Sequence, residues 1–143
     1  MSLRFKRRDL FRAWLVATVF SGLPSTLYAL GTGGDPLEAT RAAGTMLIAP
    51  DRGLAALVLA AGAVHAVVSA FWAGIFALLL PRRRVASWAM AGAAAVAVLD
   101  LGIIAPRFFP SVAALDFWPQ FADHLTWGLL LGATLGYCEA RRS

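Results

Sequence analysis

Cysteine, lysine and histidine are scarce in this chain of 143 residues, which contains one cysteine, one lysine and two histidines. The single cysteine, Cys138, excludes an intramolecular disulfide. The sequence also lacks HExxH, CxxC, GxSxG and the phosphate-binding loop, the short motifs of several common chemistries. Only 15% of the residues are charged, whereas a soluble domain has about 25%. These absences argue against a disulfide scaffold and against an ordinary soluble enzyme.

The apolar residues, which make up 59% of the chain, are concentrated in four long stretches. We place these stretches at about residues 10–30, 54–80, 85–105 and 119–140. A run of ~20 apolar residues crosses the hydrocarbon core of a bilayer as a helix, and a helix satisfies its own backbone hydrogen bonds there. The sequence therefore predicts one all-α domain over residues 1–143, an antiparallel bundle of four transmembrane helices with the lipid bilayer as its partner.

Basic residues support this count of four spans. Ten of the 13 form clusters before the first stretch, between the second and third, and after the fourth. The clusters are Arg4, Lys6, Arg7, Arg8 and Arg12, then Arg82, Arg83 and Arg84, then Arg141 and Arg142. Four spans place all three clusters on one side, and the positive-inside rule makes that side the cytoplasm, with both termini. This anchoring, rather than a nucleic-acid partner, explains the net charge of +5.

Composition indicates the source of the protein, and length indicates whether its N-terminal stretch is cleaved. An alanine-rich chain with a single lysine indicates a bacterial protein, so we expect the inner membrane. The basic N-terminus followed by an apolar run resembles a signal peptide. The run is long for that purpose, and Leu27 and Ala29 make a poor cleavage site, so we expect the first stretch to be kept as a helix.

The segment between the first two stretches predicts a short external helix over about residues 36–47. Asp35 supplies an N-cap, Pro36 a first helical residue and Glu38 the third-position carboxylate of a capping box. Pro50 is expected to end the segment. We expect this helix to rest on the bundle or at the lipid interface.

Glycine recurs every four residues in the fourth stretch, at Gly128, Gly132 and Gly136. Such a doubled GxxxG pattern lets another helix approach closely, and we predict that these three residues pack a helix. That helix belongs either to the same bundle or to another chain. A homo-oligomer and a membrane-protein partner both stay open at this point.

Polar residues within the stretches are the candidate functional residues, because a polar group inside the bilayer is costly and often functional. A rise of ~1.5 Å per residue places His65 and Ser21 near the midplane. Asp100 and His124 share a depth closer to the outer face. We predict a polar pocket or proton relay in the outer half of the bundle. Its members are Ser21, Ser25, Tyr28, His65, Ser69, Asp100 and His124. The alternative is a set of interhelical hydrogen bonds.

Cofactor chemistry is not favoured by this set. A bis-histidine haem needs two histidines at similar depth, but His65 and His124 differ by ~9 Å along the membrane normal. Zinc needs three or four ligands, for which too few candidates are available. We expect no cofactor, no metal and no catalytic residue, and a membrane enzyme is the less favoured class.

Three interpretations remain for the function. The leading one is a non-enzymatic integral membrane protein that acts through its bundle and an outward-facing polar pocket. The second is a small proton-coupled transporter or channel subunit that uses Asp100, His124 and His65. The third is an accessory subunit that docks through the glycine face of the fourth helix.

Overall fold

The computed structural model describes residues 5–141, which form helices joined by turns and no strand. The helical content is 80%. Three helical segments are long and apolar enough to cross a membrane: Arg7–Thr32, Leu54–Leu79 and Val85–Phe108. The prediction of an all-helical chain with helices capable of spanning a membrane is therefore confirmed.

The first segment is two helices, α1 (Arg7–Phe20) and α2 (Leu23–Thr32), rather than one continuous helix over residues 10–30. Pro24 is the cause, because it has no N–H to continue the helical bond to the carbonyl four residues earlier. The second helix ends at Gly33, whose φ of 74° is the left-handed conformation that glycine adopts without strain.

Helix α3 (Glu38–Gly44), in the segment predicted to be external, is shorter than the predicted range of residues 36–47. At its start, the Asp35 carboxylate accepts a hydrogen bond from the Leu37 N–H at 2.8 Å, so the predicted capping residue acts in the turn before the helix. At its end, the Leu47 N–H turns back to the carbonyl three residues earlier. Tight turns of this kind replace the helix after residue 44.

The remaining helices include one interruption that the sequence did not predict. They are α4 (Leu54–Leu79), α5 (Val85–Leu99), a π-helical turn (Asp100–Ile104), α6 (Ala105–Phe108), α7 (Pro110–Ala113) and α8 (Phe117–Ala140). The third stretch, predicted to end at residue 105, thus continues to Phe108 through a wider turn. Pro106 cannot donate a helical hydrogen bond, and the Ala105 N–H bonds instead to the Asp100 carbonyl, five residues earlier.

Helix α8 is the centre of the structure, packing against α5, α1 and α2, while α4 packs against α1 and α3. Close packing between α8 and α5 depends on glycine. A Cβ at Gly128 would lie 2.6 Å from the Ala89 carbonyl oxygen, and one at Gly132 would lie 2.6 Å from Ala86 Cα. Gly136 has open space. Two of the three predicted packing glycines therefore contact a helix of the same chain.

The apolar core is concentrated in one half of the molecule. We call the end with the Pro81–Arg84 turn and the Arg82–Glu139 ion pair the basic end, and the end with α3, α6 and α7 the loop end. Core residues cluster towards the basic end: Ala13, Ala77, Ala89, Leu131 and Leu135 are fully buried. The outward faces are apolar too, and Leu59, Val67 and Leu79 of α4 are about 70% exposed. Apolar surface on this scale is typical of a face that contacts lipid or another protein.

Candidate functional site

The break between α1 and α2 exposes backbone groups in the middle of a membrane-length segment. Ser21 closes α1, and its N–H donates to the Ala17 carbonyl. Gly22 precedes α2, and its carbonyl accepts from the hydroxyls of Ser25 at 3.2 Å and Thr26 at 2.8 Å. The Thr26 N–H also donates to this carbonyl at 3.2 Å, so the two hydroxyls reinforce the first turn of α2.

Two other helices supply the remaining partners of the break. From α8, the Asp123 carboxylate accepts a hydrogen bond from the Ser25 N–H at 2.9 Å. From α4, His65 Nε2 lies 3.0 Å from the Thr18 carbonyl oxygen and 3.2 Å from Ser21 Oγ. A carboxylate thus faces the N-terminal end of α2, where free N–H groups favour negative charge. An imidazole faces the carbonyl-rich C-terminal end of α1.

A carboxylate–histidine pair joins α8 to the π-helical turn. His124 Nε2 is 3.4 Å from Asp100 Oδ2, and His124 Nδ1 is 2.9 Å from the Gln120 carbonyl oxygen. Both ring nitrogens therefore face oxygen acceptors. A neutral imidazole carries only one N–H, so this geometry accommodates one more proton, either on the ring or on Asp100.

The seven residues predicted for the pocket fall into separate places. Ser21 contacts His65, Asp100 contacts His124, and Ser25 belongs to the break. Ser69 instead lies in the core, where its hydroxyl accepts a hydrogen bond from the Trp127 indole N–H. Tyr28 lies on α2 and is half exposed. The structure thus brings together two pairs and the break, and leaves Ser69 and Tyr28 outside them.

Asp123, which accepts from the Ser25 N–H, is the site residue that sequence reasoning missed. A signal for it exists in the four-residue spacing of α8. Pro119 and Trp127, four residues before and after Asp123, are both buried. Residues four apart share a helix face, so a carboxylate in this series is directed into the bundle.

A cavity of about 360 Å³ opens at the loop end between α2, α3 and the start of α8. Its lining includes Ser25, so the cavity reaches the residue whose N–H bonds to Asp123. Carboxylates from three places also line it, namely Asp35, Glu38 and Asp116. The Leu37 N–H and the Arg41 guanidinium lower the pKa of Asp35 below its ordinary value of 3.8, because both stabilise its charged form.

No group of three or more His, Cys, Asp or Glu side chains that could hold a metal ion occurs within residues 5–141. Comparison with protein-family models finds no match, and comparisons with curated proteins and with solved structures find none either. The geometry of the site is therefore the basis for a functional assignment.

Proposed function

We propose that this chain is a four-span bacterial inner-membrane protein with both termini in the cytoplasm. Helix α8 is the fourth span in this proposal. Its 24 residues extend ~36 Å, enough to cross a hydrocarbon core of about 30 Å. Its hydropathy is reduced by Asp123 and His124, which have partners in the interior of the bundle. A central helix can carry such residues because its neighbours shield them from lipid.

We further propose that the protein couples proton binding to the handling of a small solute from the external side. The observation that carries this proposal is the hydrogen bond from the Ser25 N–H to Asp123 at the broken first span. Interrupted helices with their ends facing ionisable groups are a recurring arrangement at the sites of transporters. The two carboxylate-bearing pairs, Asp123 with Ser25 and Asp100 with His124, are the proton-binding groups.

The proposed mechanism starts from the charge of Asp123. As a carboxylate it stabilises the N-terminal end of α2 through a charge-assisted hydrogen bond, which is stronger than a neutral one. Protonation removes the charge, weakens this bond and frees α2 to shift. Because α2 also forms a wall of the external cavity, a proton on Asp123 changes the shape of the cavity. The Asp100–His124 pair holds a second proton on the adjacent face of α8.

Proton uptake by vesicles tests this proposal. The purified chain is reconstituted into liposomes containing a pH-sensitive dye, and an inward proton gradient is imposed. We expect the wild-type protein to acidify the lumen faster than protein-free vesicles, and Asp123→Asn to slow the rate about tenfold. Asparagine keeps an oxygen that can accept from Ser25 N–H, so this variant retains the fold while losing the titratable group.

The matched control is Asp51→Asn, which alters a carboxylate in the turn before α4. Vesicles that contain this variant are expected to acidify at the wild-type rate. A wild-type rate equal to that of empty vesicles would overturn the proposal. So would an Asp123→Asn rate equal to that of the wild type, since the proton would then travel without Asp123.

A further inference from the structure

We infer that the loop-end cavity binds a small organic cation, an ammonium group carrying short apolar substituents. This inference deepens the proposed function and rests on it, because it names the class of solute that the external side receives. The cavity volume of about 360 Å³ lies within the range of about 300–1,000 Å³ typical of small-molecule sites.

The charge of the lining selects for a cation. Asp35, Glu38 and Asp116 line the cavity, and no lysine or arginine does so among residues 5–141. Asp35 is engaged by Arg41, whereas no ion pair within that part of the chain involves Glu38 or Asp116. Two carboxylates from different helices, α3 and the cap of α8, are thus available to a positively charged ligand.

The rest of the lining favours an organic cation over a bare metal ion. The Tyr28 side chain borders the cavity, and an aromatic face attracts ammonium groups that approach within about 6 Å of its centre. Pro36, Leu115 and Pro119 contribute apolar surface, which would not coordinate a metal but does contact alkyl substituents. Ser25, at the junction with Asp123, places the ligand next to the proposed proton-binding group.

Binding of choline provides the experiment, with 3,3-dimethylbutan-1-ol as a neutral probe of the same shape. Isothermal titration of the full chain in detergent measures the affinity for each probe. We expect choline to bind and its neutral counterpart to bind at least about fivefold more weakly, since only the charge differs. No heat of binding from choline, or equal affinity for the two probes, would overturn the inference.

Variants locate the bound probe. Glu38→Gln and Asp116→Asn should each weaken choline binding roughly two- to fivefold, the contribution of a single exposed charge pair. Tyr28→Leu should weaken it by a similar factor through loss of the aromatic face. Asp51→Asn, a carboxylate outside the cavity lining, should leave it unchanged. Unaltered affinity in all three cavity variants would show that choline binds elsewhere and would overturn the inference.

The same ammonium chemistry is present in lipid headgroups, and nanodiscs separate the two sources. Choline affinity is measured in nanodiscs of phosphatidylglycerol and in nanodiscs containing phosphatidylethanolamine. Weaker choline binding in nanodiscs that contain phosphatidylethanolamine identifies the lipid headgroup as the natural occupant of the cavity. Equal choline affinity in the two types identifies a free cation as the occupant. Because binding is measured without a proton gradient, it is independent of vesicle acidification. Loss of acidification with intact choline binding would remove the proton coupling and leave the cavity assignment standing.

Discussion

Asp123 on the last helix accepts a hydrogen bond from the backbone N–H of Ser25, 98 positions earlier in the chain, at a distance of 2.9 Å. This contact ties the break in the first membrane-length segment to the centre of the bundle. It also adjoins the loop-end cavity, whose lining includes Ser25. Stability and proposed function therefore depend on the same carboxylate, and the two can be measured apart.

Asp123→Ala is expected to lower the free energy of unfolding by about 1–3 kcal/mol, because it leaves the Ser25 N–H without an acceptor in an apolar environment. Asp123→Asn retains an acceptor oxygen and should lower the free energy of unfolding by less than half as much. Reversible unfolding in mixed micelles measures both values. If alanine and asparagine destabilise equally, the hydrogen bond does not contribute to the fold.

Gly128→Ala is expected to lower the free energy of unfolding by about 1–3 kcal/mol, the usual cost of overpacking. The added methyl group would lie 2.5 Å from Ala93 Cβ and 2.6 Å from the Ala89 carbonyl oxygen, so α5 and α8 must separate. Gly136→Ala is the matched control on the same helix, since nothing lies within 4 Å of its Cβ position. Reversible unfolding in mixed micelles measures the free energy of unfolding of both variants. Equal stability of the two variants would contradict the close approach of these helices.

Gly44→Ala is expected to loosen helix α3 from α4. A Cβ at this position would lie within 3 Å of three Leu57 backbone atoms, none of which is a flexible side-chain end. Amide hydrogen exchange over residues 38–44 should become faster, because the helix loses its contact surface. Gly53→Ala, at a position with open space, serves as the control. Unchanged exchange in Gly44→Ala would show that α3 does not depend on this contact.

The start of α3 is expected to depend on pH through Asp35. The Leu37 N–H and then the Arg41 guanidinium lower the pKa of Asp35 in the folded protein below its ordinary value of 3.8. A lowered pKa means that the stabilisation is fully present above that ordinary value and is lost as the pH falls through the lowered one. Carbon-13 NMR of the Asp35 carboxyl group follows the titration directly.

Two variants test this account of Asp35. Arg41→Gln should move the midpoint of the Asp35 titration upwards while leaving the larger contribution of the Leu37 N–H in place. In the wild-type protein, amide exchange at residue 37 should become faster when the Asp35 carboxylate is protonated at low pH. Asp35→Asn should abolish this dependence on pH. A midpoint that stays at the ordinary value in the wild-type protein would contradict the predicted direction.

The sequence predicted those helices that can be recognised from their local composition alone. The second apolar stretch begins at residue 54, as α4 does, and the fourth lies within α8. Continuous apolar composition identifies such helices without knowledge of their neighbours. The pairing of Ser21 with His65 and of Asp100 with His124 followed the estimate of depth, which requires only a constant rise per residue.

The features that were not predicted depend on contacts between distant helices. The inward direction of Asp123 is one of these features, since its partner Ser25 lies 98 positions earlier in the chain. The π-helical turn from Asp100 to Ile104 likewise needs a tertiary reason to persist, and His124 provides one by contacting Asp100. The loop-end cavity involves three segments that are far apart in sequence.

The position of α8 at the end of the chain has a consequence for biogenesis. In the proposed four-span arrangement, α1 and α2 would enter the membrane first, and the carboxylate that accepts from Ser25 is translated 98 residues later. Until then, the Ser25 N–H lacks this acceptor. Release of the first helices into lipid should therefore wait for the last one, so that assembly of the bundle is nearly simultaneous with completion of the polypeptide.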